Sequence, residues 1–259
     1  MIPEHVLITG ASSGIGLELA KCFAADKSHL VLVARSTEAM EQLAAGLRQK
    51  HQVQVFIITA DLAESGSAQR IFDELTRAHI TVDVLVNNAG FGLHGSFAEL
   101  PLKRQLEIIQ VNIAALVELT GLFLPGMIQR QRGGILNVGS VAGFVPGPNM
   151  AVYYASKAFV QSFSEAVLEE LQGSGVSVTN LCPGPTETNF SNTARSHRVR
   201  NHQAAKMSAA AVAIHGHRAF RRGRGSAIPG LANVLIAQLP RLLPRAVIRK
   251  LVMHYNRLK

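Results

Sequence analysis

The stretch that decides the fold is Thr9-Gly10-Ala11-Ser12-Ser13-Gly14-Ile15-Gly16. The residues before it, His5-Val6-Leu7-Ile8-Thr9, read as a short β-strand, and residues 14–25 carry a helical pattern. A turn this tight needs residues without a β-carbon where the backbone becomes left-handed or meets a ligand closely. The helix behind the turn offers free N–H groups and the positive end of its dipole, which suits a pyrophosphate. The spacing is G-x-x-x-G-x-G, not the more familiar G-x-G-x-x-G. Taken alone, the loop reads equally well as an ordinary Gly-rich strand–helix turn.

Outward from this loop the pattern alternates. Strands are predicted over 29–34, 53–59, 82–86, 134–138 and 176–182, with a short seventh over 226–228. Helices are predicted over 37–50, 67–78, 152–171 and 209–220, and long helical periodicity runs through 102–130. The strands are continuous apolar runs, as expected for a parallel sheet covered on both faces. The fold class is therefore α/β: a three-layer, doubly wound parallel sheet of about seven strands, Rossmann-like, with a short C-terminal helical extension. Ligands of such sheets bind at the carboxyl ends of the strands.

The chain has 259 residues, 47% of them hydrophobic, enough for one core. A single domain over 1–259 is expected, with no linker and no internal repeat. Strand-like residues begin right after residues 1–4, which leaves no room for a signal peptide. The longest uncharged stretch, between Arg132 and Lys157, is punctuated by Pro146-Gly147-Pro148 and does not read as a membrane span. Cys22 and Cys182 form no metal-ligand pattern, so no metal is expected and a reduced, cytoplasmic protein is the simplest reading. Residues 1–187 hold 12 Lys/Arg and all 17 Asp/Glu, while residues 188–259 hold 14 Lys/Arg and no acid. Such segregation suggests that the C-terminal quarter faces something anionic.

Further motifs follow the loop in order: Asp61-Leu62 after the third strand, Asn87-Asn88-Ala89-Gly90 after the fourth, and Asn112 in the next helix. Then come Asn137-Val138-Gly139-Ser140, Tyr153-Tyr154-Ala155-Ser156-Lys157, and Pro183-Gly184 with Thr186 and Thr188 beyond. This series, over residues 9–188, resembles the short-chain dehydrogenase/reductase family. The resemblance implies a nicotinamide dinucleotide held by Gly10, Ser12, Ser13, Gly14, Ile15, Gly16, Asp61, Leu62, Asn88, Ala89, Gly90, Tyr153, Lys157, Pro183, Gly184, Thr186 and Thr188. It implies catalysis by Asn112, Ser140, Tyr153 and Lys157.

Reducing a ketone needs a hydride on carbon, which a nicotinamide supplies, and a proton on oxygen. Tyr153 is the candidate donor. Its ordinary pKa of about 10 is high for exchange at neutral pH, and a nearby cation lowers such a value. Lys157 stands four residues on, hence on the same helix face. By the resemblance, Lys157 also holds the nicotinamide ribose, Ser140 bonds the substrate oxygen, and Asn112 positions a water next to Lys157. Tyr154 is rotated about 100° away and is expected to pack or to line the substrate mouth. His94 is expected in a solvent-exposed loop, and Cys182 as a buried small hydrophobe.

The second strand runs Val31-Leu32-Val33-Ala34-Arg35-Ser36. The carboxylate that would accept from a ribose 2′-OH is missing there. Arg35 suits a 2′-phosphate instead, because its fork donates two hydrogen bonds, and Ser36 adds a hydroxyl. NADP(H) is the expected cofactor, although Ser12-Ser13 lacks the basic residue that many NADP-type relatives carry in this loop.

Residues 189–206 are expected to form a lid over the substrate. Its basic residues read either as a solvated loop or as a grip on an anionic handle such as a phosphopantetheine arm or carboxylate. Ser208 reads as the N-cap of the next helix. In the basic extension, 230–259, Val247, Ile248, Leu251, Val252, Tyr255 and Leu258 recur near one turn apart, and Pro240 and Pro244 are expected to break what precedes them. Three uses stay open: packing against the core or a sister subunit, an anionic membrane surface, or an acidic partner such as an acyl carrier. No nucleic-acid motif is present, so no nucleic-acid partner is expected. The expected protein is a homodimeric or homotetrameric NADPH-dependent reductase of a hydrophobic ketone or 3-oxoacyl compound. A non-catalytic NADP(H)-binding regulator and an alcohol dehydrogenase are the alternatives.

Overall fold

The central strand β1 (His5–Thr9) pairs in parallel with β2 (His29–Ala34) on one side and with β4 (Val84–Asn87) on the other. β3 (Val55–Thr59) extends the first side, and β5 (Gly133–Val138), β6 (Val176–Leu181) and β9 (Ser226–Ala227) extend the second. The order β3-β2-β1-β4-β5-β6-β9 makes a seven-stranded parallel sheet whose winding reverses between β1 and β4. A crevice opens at such a reversal, outside the carboxyl ends of the strands. The structure, a computed structural model, describes residues 3–188, 190 and 206–257.

Successive residues of a strand point to opposite faces, so each apolar run feeds two cores. Val6, Ile8, Leu30, Leu32, Val86 and Val138 meet α1 (Gly14–Ala25), α2 (Thr37–His51) and α7 (Ala209–Arg221) through Leu19, Phe23, Met40, Leu47, Val212 and Phe220. Leu7, Val31, Val33, Leu85, Ile135 and Val178 meet α3 (Ser67–Arg77), α5 (Ala115–Gln129) and α6 (Ala151–Glu170) through Ile71, Leu75, Leu119, Phe123, Met127 and Val167. These are the three expected layers. A small parallel pair, β7 (Thr186–Glu187) with β8 (Met207–Ser208), lies beyond β6.

Local chemistry sets several element ends. Ser36 caps α2 by accepting from the Ala39 N–H at 3.4 Å, and Ser208 caps α7 as expected, accepting from Ala211 at 3.2 Å. The strands predicted from 53 and 82 start two residues later, where pairing with the neighbouring strand begins. The long periodicity near 102–130 resolves into α4 (Leu102–Ile109), a π-helical turn (Gln110–Ala114) and α5. The whole run is long and apolar enough to cross a membrane by length and composition, but it packs on the sheet as a layer helix through Leu119, Phe123 and Met127.

At the C-terminal end, Pro240 does not break its helix. It lies inside the last turn of α8 (Leu231–Leu242), where losing one backbone bond costs little because the helix ends at once. Pro244 does separate α8 from α9 (Arg245–Tyr255), at whose start it sits.

Candidate active site

The two loops at the reversal are laced together. The Thr9 hydroxyl donates to the Val86 carbonyl at 3.2 Å and accepts from the Asn88 and Ala89 N–H groups at 3.0 Å each. The Asn88 amide donates back to the Thr9 and Gly10 carbonyls at 2.8 and 3.2 Å. That lacing leaves no room for side chains in the Gly-rich turn. Gly10 has φ +65°, and a β-carbon on it would stand 2.8 Å from the Asn88 amide nitrogen; one on Gly16 would stand 2.4 Å from the same atom. Gly14, with φ +58°, faces Thr188. The result is a bare backbone cradle ahead of the α1 N-terminus, the arrangement a pyrophosphate requires.

At the other end of the cavity stands Tyr153, on the first turn of α6. Its ring packs against Phe190 at a centroid distance of 5.1 Å and against the bare face of Gly92. Burial pushes the phenol up to about 12, against the pull of the neighbouring Ser140 hydroxyl. Burial also brings Lys157 down to about 8, and its ammonium donates to the Val138 carbonyl at 2.7 Å. The lysine nitrogen lies 6.0 Å from the centre of the Tyr153 ring. Desolvation thus raises the phenol where the sequence suggested that Lys157 would lower it. The phenol is held above its ordinary value and the lysine below its own.

Ser140 follows β5 and caps the short 3-10 turn Val141–Phe144. Its hydroxyl accepts from the Ala142 N–H at 3.1 Å and donates to the Pro183 carbonyl at 3.4 Å. Asn112 lies in the π-helical turn, fully buried. Its amide clasps both sides of the Phe91 backbone, at 3.1 and 3.0 Å, and donates to the Ser156 hydroxyl at 2.9 Å. It holds the loop after β4 against α6 and makes no bond to Lys157 among the described residues. Ser156, which in turn donates to the Tyr153 carbonyl at 2.7 Å, was not picked out from the sequence.

Just past the carboxyl ends of β2 and β3, Arg35 and Asp61 face each other at 3.9 Å. Arg35 is largely exposed, so its fork is free for a further anion. Asp61 accepts from the Ala63 N–H at 2.9 Å, which holds its carboxylate in place.

One cavity of about 1250 Å³ joins these parts. All the residues expected to hold cofactor or substrate line it except Gly16, which is spacing beneath Asn88, and Asn112, which is buried behind Phe91. Phe190 and Lys206 are the described members of the expected 189–206 lid, and both line the cavity; the remainder lies outside the described residues.

The sequence read Leu251, Val252 and Tyr255 as part of an apolar stripe without placing them at the cavity, whose far wall they form with Ile236 of α8 and Asn256. Asn256 fastens that wall. Its amide donates to the Pro148 carbonyl at 2.9 Å, and its carbonyl accepts from Asn149 at 3.3 Å and from His94 Nε2 at 2.7 Å. His94 is thus buried rather than solvent-exposed, and burial lowers its pKa. Tyr154 lines the cavity as expected and reaches Asn256. Cys182 is buried and its thiol is pushed up to about 12 by burial, as suits a small hydrophobe.

Residues 4–199 match the family model for short chain dehydrogenase. Sulfoacetaldehyde reductase 2 of Chromohalobacter salexigens is 42% identical over 189 residues, which is 72% of this chain and 74% of that protein. A very-long-chain 3-oxoacyl-CoA reductase of Laccaria bicolor is 36% identical over 177 residues, 68% of this chain but only 52% of that protein. The chain thus spans between about half and three-quarters of the length of these relatives. Among solved structures, a short-chain dehydrogenase from Sphingobium yanoikuyae in complex with NADPH is 31% identical, with TM-score 0.81, over 94% of this chain and 97% of that one. Another, from Burkholderia phymatum in complex with NAD, is 26% identical with TM-score 0.83, over 92% and 93%. The chain belongs to the short-chain dehydrogenase family.

Proposed function

We propose that this protein is an NADPH-dependent oxidoreductase that reduces a carbonyl compound, with a hydrophobic ketone or a 3-oxoacyl compound as substrate. The observation that carries the reading is the cavity that joins a bare backbone cradle, an exposed Arg35 fork and a buried Tyr153 beside Ser140. The cradle fits a dinucleotide, since Gly10, Gly14 and Gly16 leave no space there for β-carbons. A bound nicotinamide supplies the hydride. The chain's own groups do the rest. Ser140 would hold the substrate oxygen, Tyr153 would give it a proton, and Lys157 would hold the nicotinamide ribose. Asn112 fixes the Phe91 backbone and the Tyr153 helix relative to each other through Ser156.

Arg35, with no carboxylate following β2 to take a ribose hydroxyl, supports NADP(H) over NAD(H). The apolar far wall of Ile236, Leu251 and Val252 supports a hydrophobic substrate. The exposed Leu102, Leu106 and Ile109 on α4 support a homo-oligomer, and two unpaired cysteines support a cytoplasmic setting. A protein that only sensed NADP(H) would have no use for Ser140, Tyr153 and Lys157 in one buried corner.

The test is NADPH oxidation against hydrophobic ketones and 3-oxoacyl thioesters by wild type and Tyr153→Phe. The variant keeps the ring and loses the proton, so turnover should fall about 10²–10⁴-fold with NADPH affinity unchanged. Near-normal turnover by Tyr153→Phe overturns the assignment.

A further inference from the structure

The two C-terminal helices carry apolar faces that stand exposed among the described residues. On α8, Leu231, Leu235, Leu239 and Leu242 recur at one-turn spacing on a single face. Leu231 is 77% exposed, Leu235 61% and Leu242 79%. On α9, Val247, Leu251 and Tyr255 make a second exposed stripe, while Ile248 and Asn256 hold the helix to the core. The α9 stripe runs into the cavity, which Leu251 and Tyr255 line, and Ile236 of α8 lines it beside the first stripe.

The charge around these stripes is of one sign. Arg241, Arg245, Arg249, Lys250 and Arg257 are all exposed, and none has a carboxylate within ion-pair distance among the described residues. Elsewhere in the same acid-free quarter part of the charge is paired. Arg221 of α7 bonds Asp26 at 2.8 Å and pairs with Glu4, and His217 meets Asp26 at 2.9 Å. Lys206, Arg218, Arg222 and Arg224 are likewise without an ion pair among the described residues, so what sets the α8–α9 cations apart is that they flank exposed apolar stripes.

We propose that α8 and α9 form a docking surface for an anionic lipid bilayer, with the mouth of the cavity turned toward the lipid. The carbonyl substrate is then an amphiphile drawn from the membrane, an identification that rests on the reductase reading above. Leucines at such exposure gain by entering acyl chains, and the surrounding arginines and lysine gain from anionic headgroups; a bilayer offers both at once. A second copy of this chain fits less well. An isologous contact would press the same five cations against their own counterparts, with no acidic side chain on either helix to offset them.

The test is co-sedimentation of the full chain with phosphatidylglycerol/phosphatidylcholine vesicles and with phosphatidylcholine alone, at low and high salt. Two surface variants accompany wild type: Leu231→Ser/Leu235→Ser/Leu242→Ser, and Arg241→Gln/Arg245→Gln/Lys250→Gln. None of these six residues lines the cavity, so thermal melting and turnover of a water-soluble ketone should stay at wild-type values. Wild type is expected to bind the anionic vesicles at low salt. Each variant should bind at least tenfold more weakly, as should wild type at high salt or on neutral vesicles.

Absence of wild-type binding at low salt overturns the proposal. So does binding that the leucine variant retains, which would mark a purely ionic patch suited to an acidic protein. Dissociation of an oligomer by the leucine variant also overturns it and makes the face a contact between copies. Failure of the soluble-ketone assay in wild type would count against the reductase reading and leave the vesicle result to be judged separately.

Discussion

At the scale of single residues, the proposed preference for NADP(H) turns on Arg35. Its side chain stands largely in solvent, 3.9 Å from Asp61, so its contact with a 2′-phosphate is partly screened. Arg35→Asp should therefore weaken NADPH binding by roughly 10–100-fold, about 1.5–3 kcal/mol, and leave NADH nearly unchanged. Fluorescence titration of both cofactors measures this; equal affinity of the wild type for the two would sink the argument. Lys157 makes a different prediction, about stability. Burial holds it at about 8, well below its ordinary 10.5. Between those values the unfolded chain binds a proton that the folded chain does not, so this residue makes folding more favourable as pH rises through that window. Its burial cost is felt in full below pH 8. Wild type should gain on Lys157→Met by about 2 kcal/mol between pH 8 and 10, read from denaturant melts. Parallel curves would show that the lysine is not held as described.

At the scale of elements, the strand–turn–helix unit depends on Asn88 filling the space over two glycines. A methyl on Gly16 would stand 2.4 Å from both the Asn88 amide nitrogen and the Gly10 carbonyl oxygen, and backbone cannot retreat as a flexible side chain would. Gly16→Ala is expected to destabilise the fold by roughly 2–3 kcal/mol and to abolish dinucleotide binding. Gly46→Ala is the control. Gly46 sits in the exposed middle of α2 with nothing within 4 Å of an added β-carbon, and there alanine should stabilise by up to about 1 kcal/mol. Melting curves of the two variants that shift in the same direction would contradict this picture. The Gly-rich turn was legible in sequence because backbone freedom is a local demand. Thr9 and Ser156 were not, since what makes them matter is a partner 79 or 44 residues away.

At the scale of the whole molecule, the active-site cavity is closed by a segment that lies outside the sheet. α9 is tied to the loop before α6 through Asn256, which meets Pro148, Asn149, Tyr154 and His94. Asn256→Ala would leave the Pro148 carbonyl without its donor, a loss of about 1–3 kcal/mol. Because the sheet does not depend on α9, that loss should appear as local opening. KM for a hydrophobic ketone should then rise at least severalfold, while NADPH affinity and the global melting temperature hold. A fall in NADPH affinity of the same size would mean that the latch supports the whole cavity rather than its far wall.

The sequence by itself determined the layer architecture and nearly all of the cavity lining around the Gly-rich turn. Those features follow from periodicity, from glycine's backbone freedom and from motifs read in chain order, all of which are local. Only the tertiary structure decided the protonation of the catalytic corner and the substrate side. Tyr153 and Lys157 are four residues apart, and the sequence suggested that the lysine would lower the phenol; burial, which no spacing reveals, pushes the phenol up instead. His94 and Asn256 are 162 residues apart, and neither carries a pattern that announces the other. They meet because α9 folds back over the carboxyl ends of the strands, and that is decided by packing.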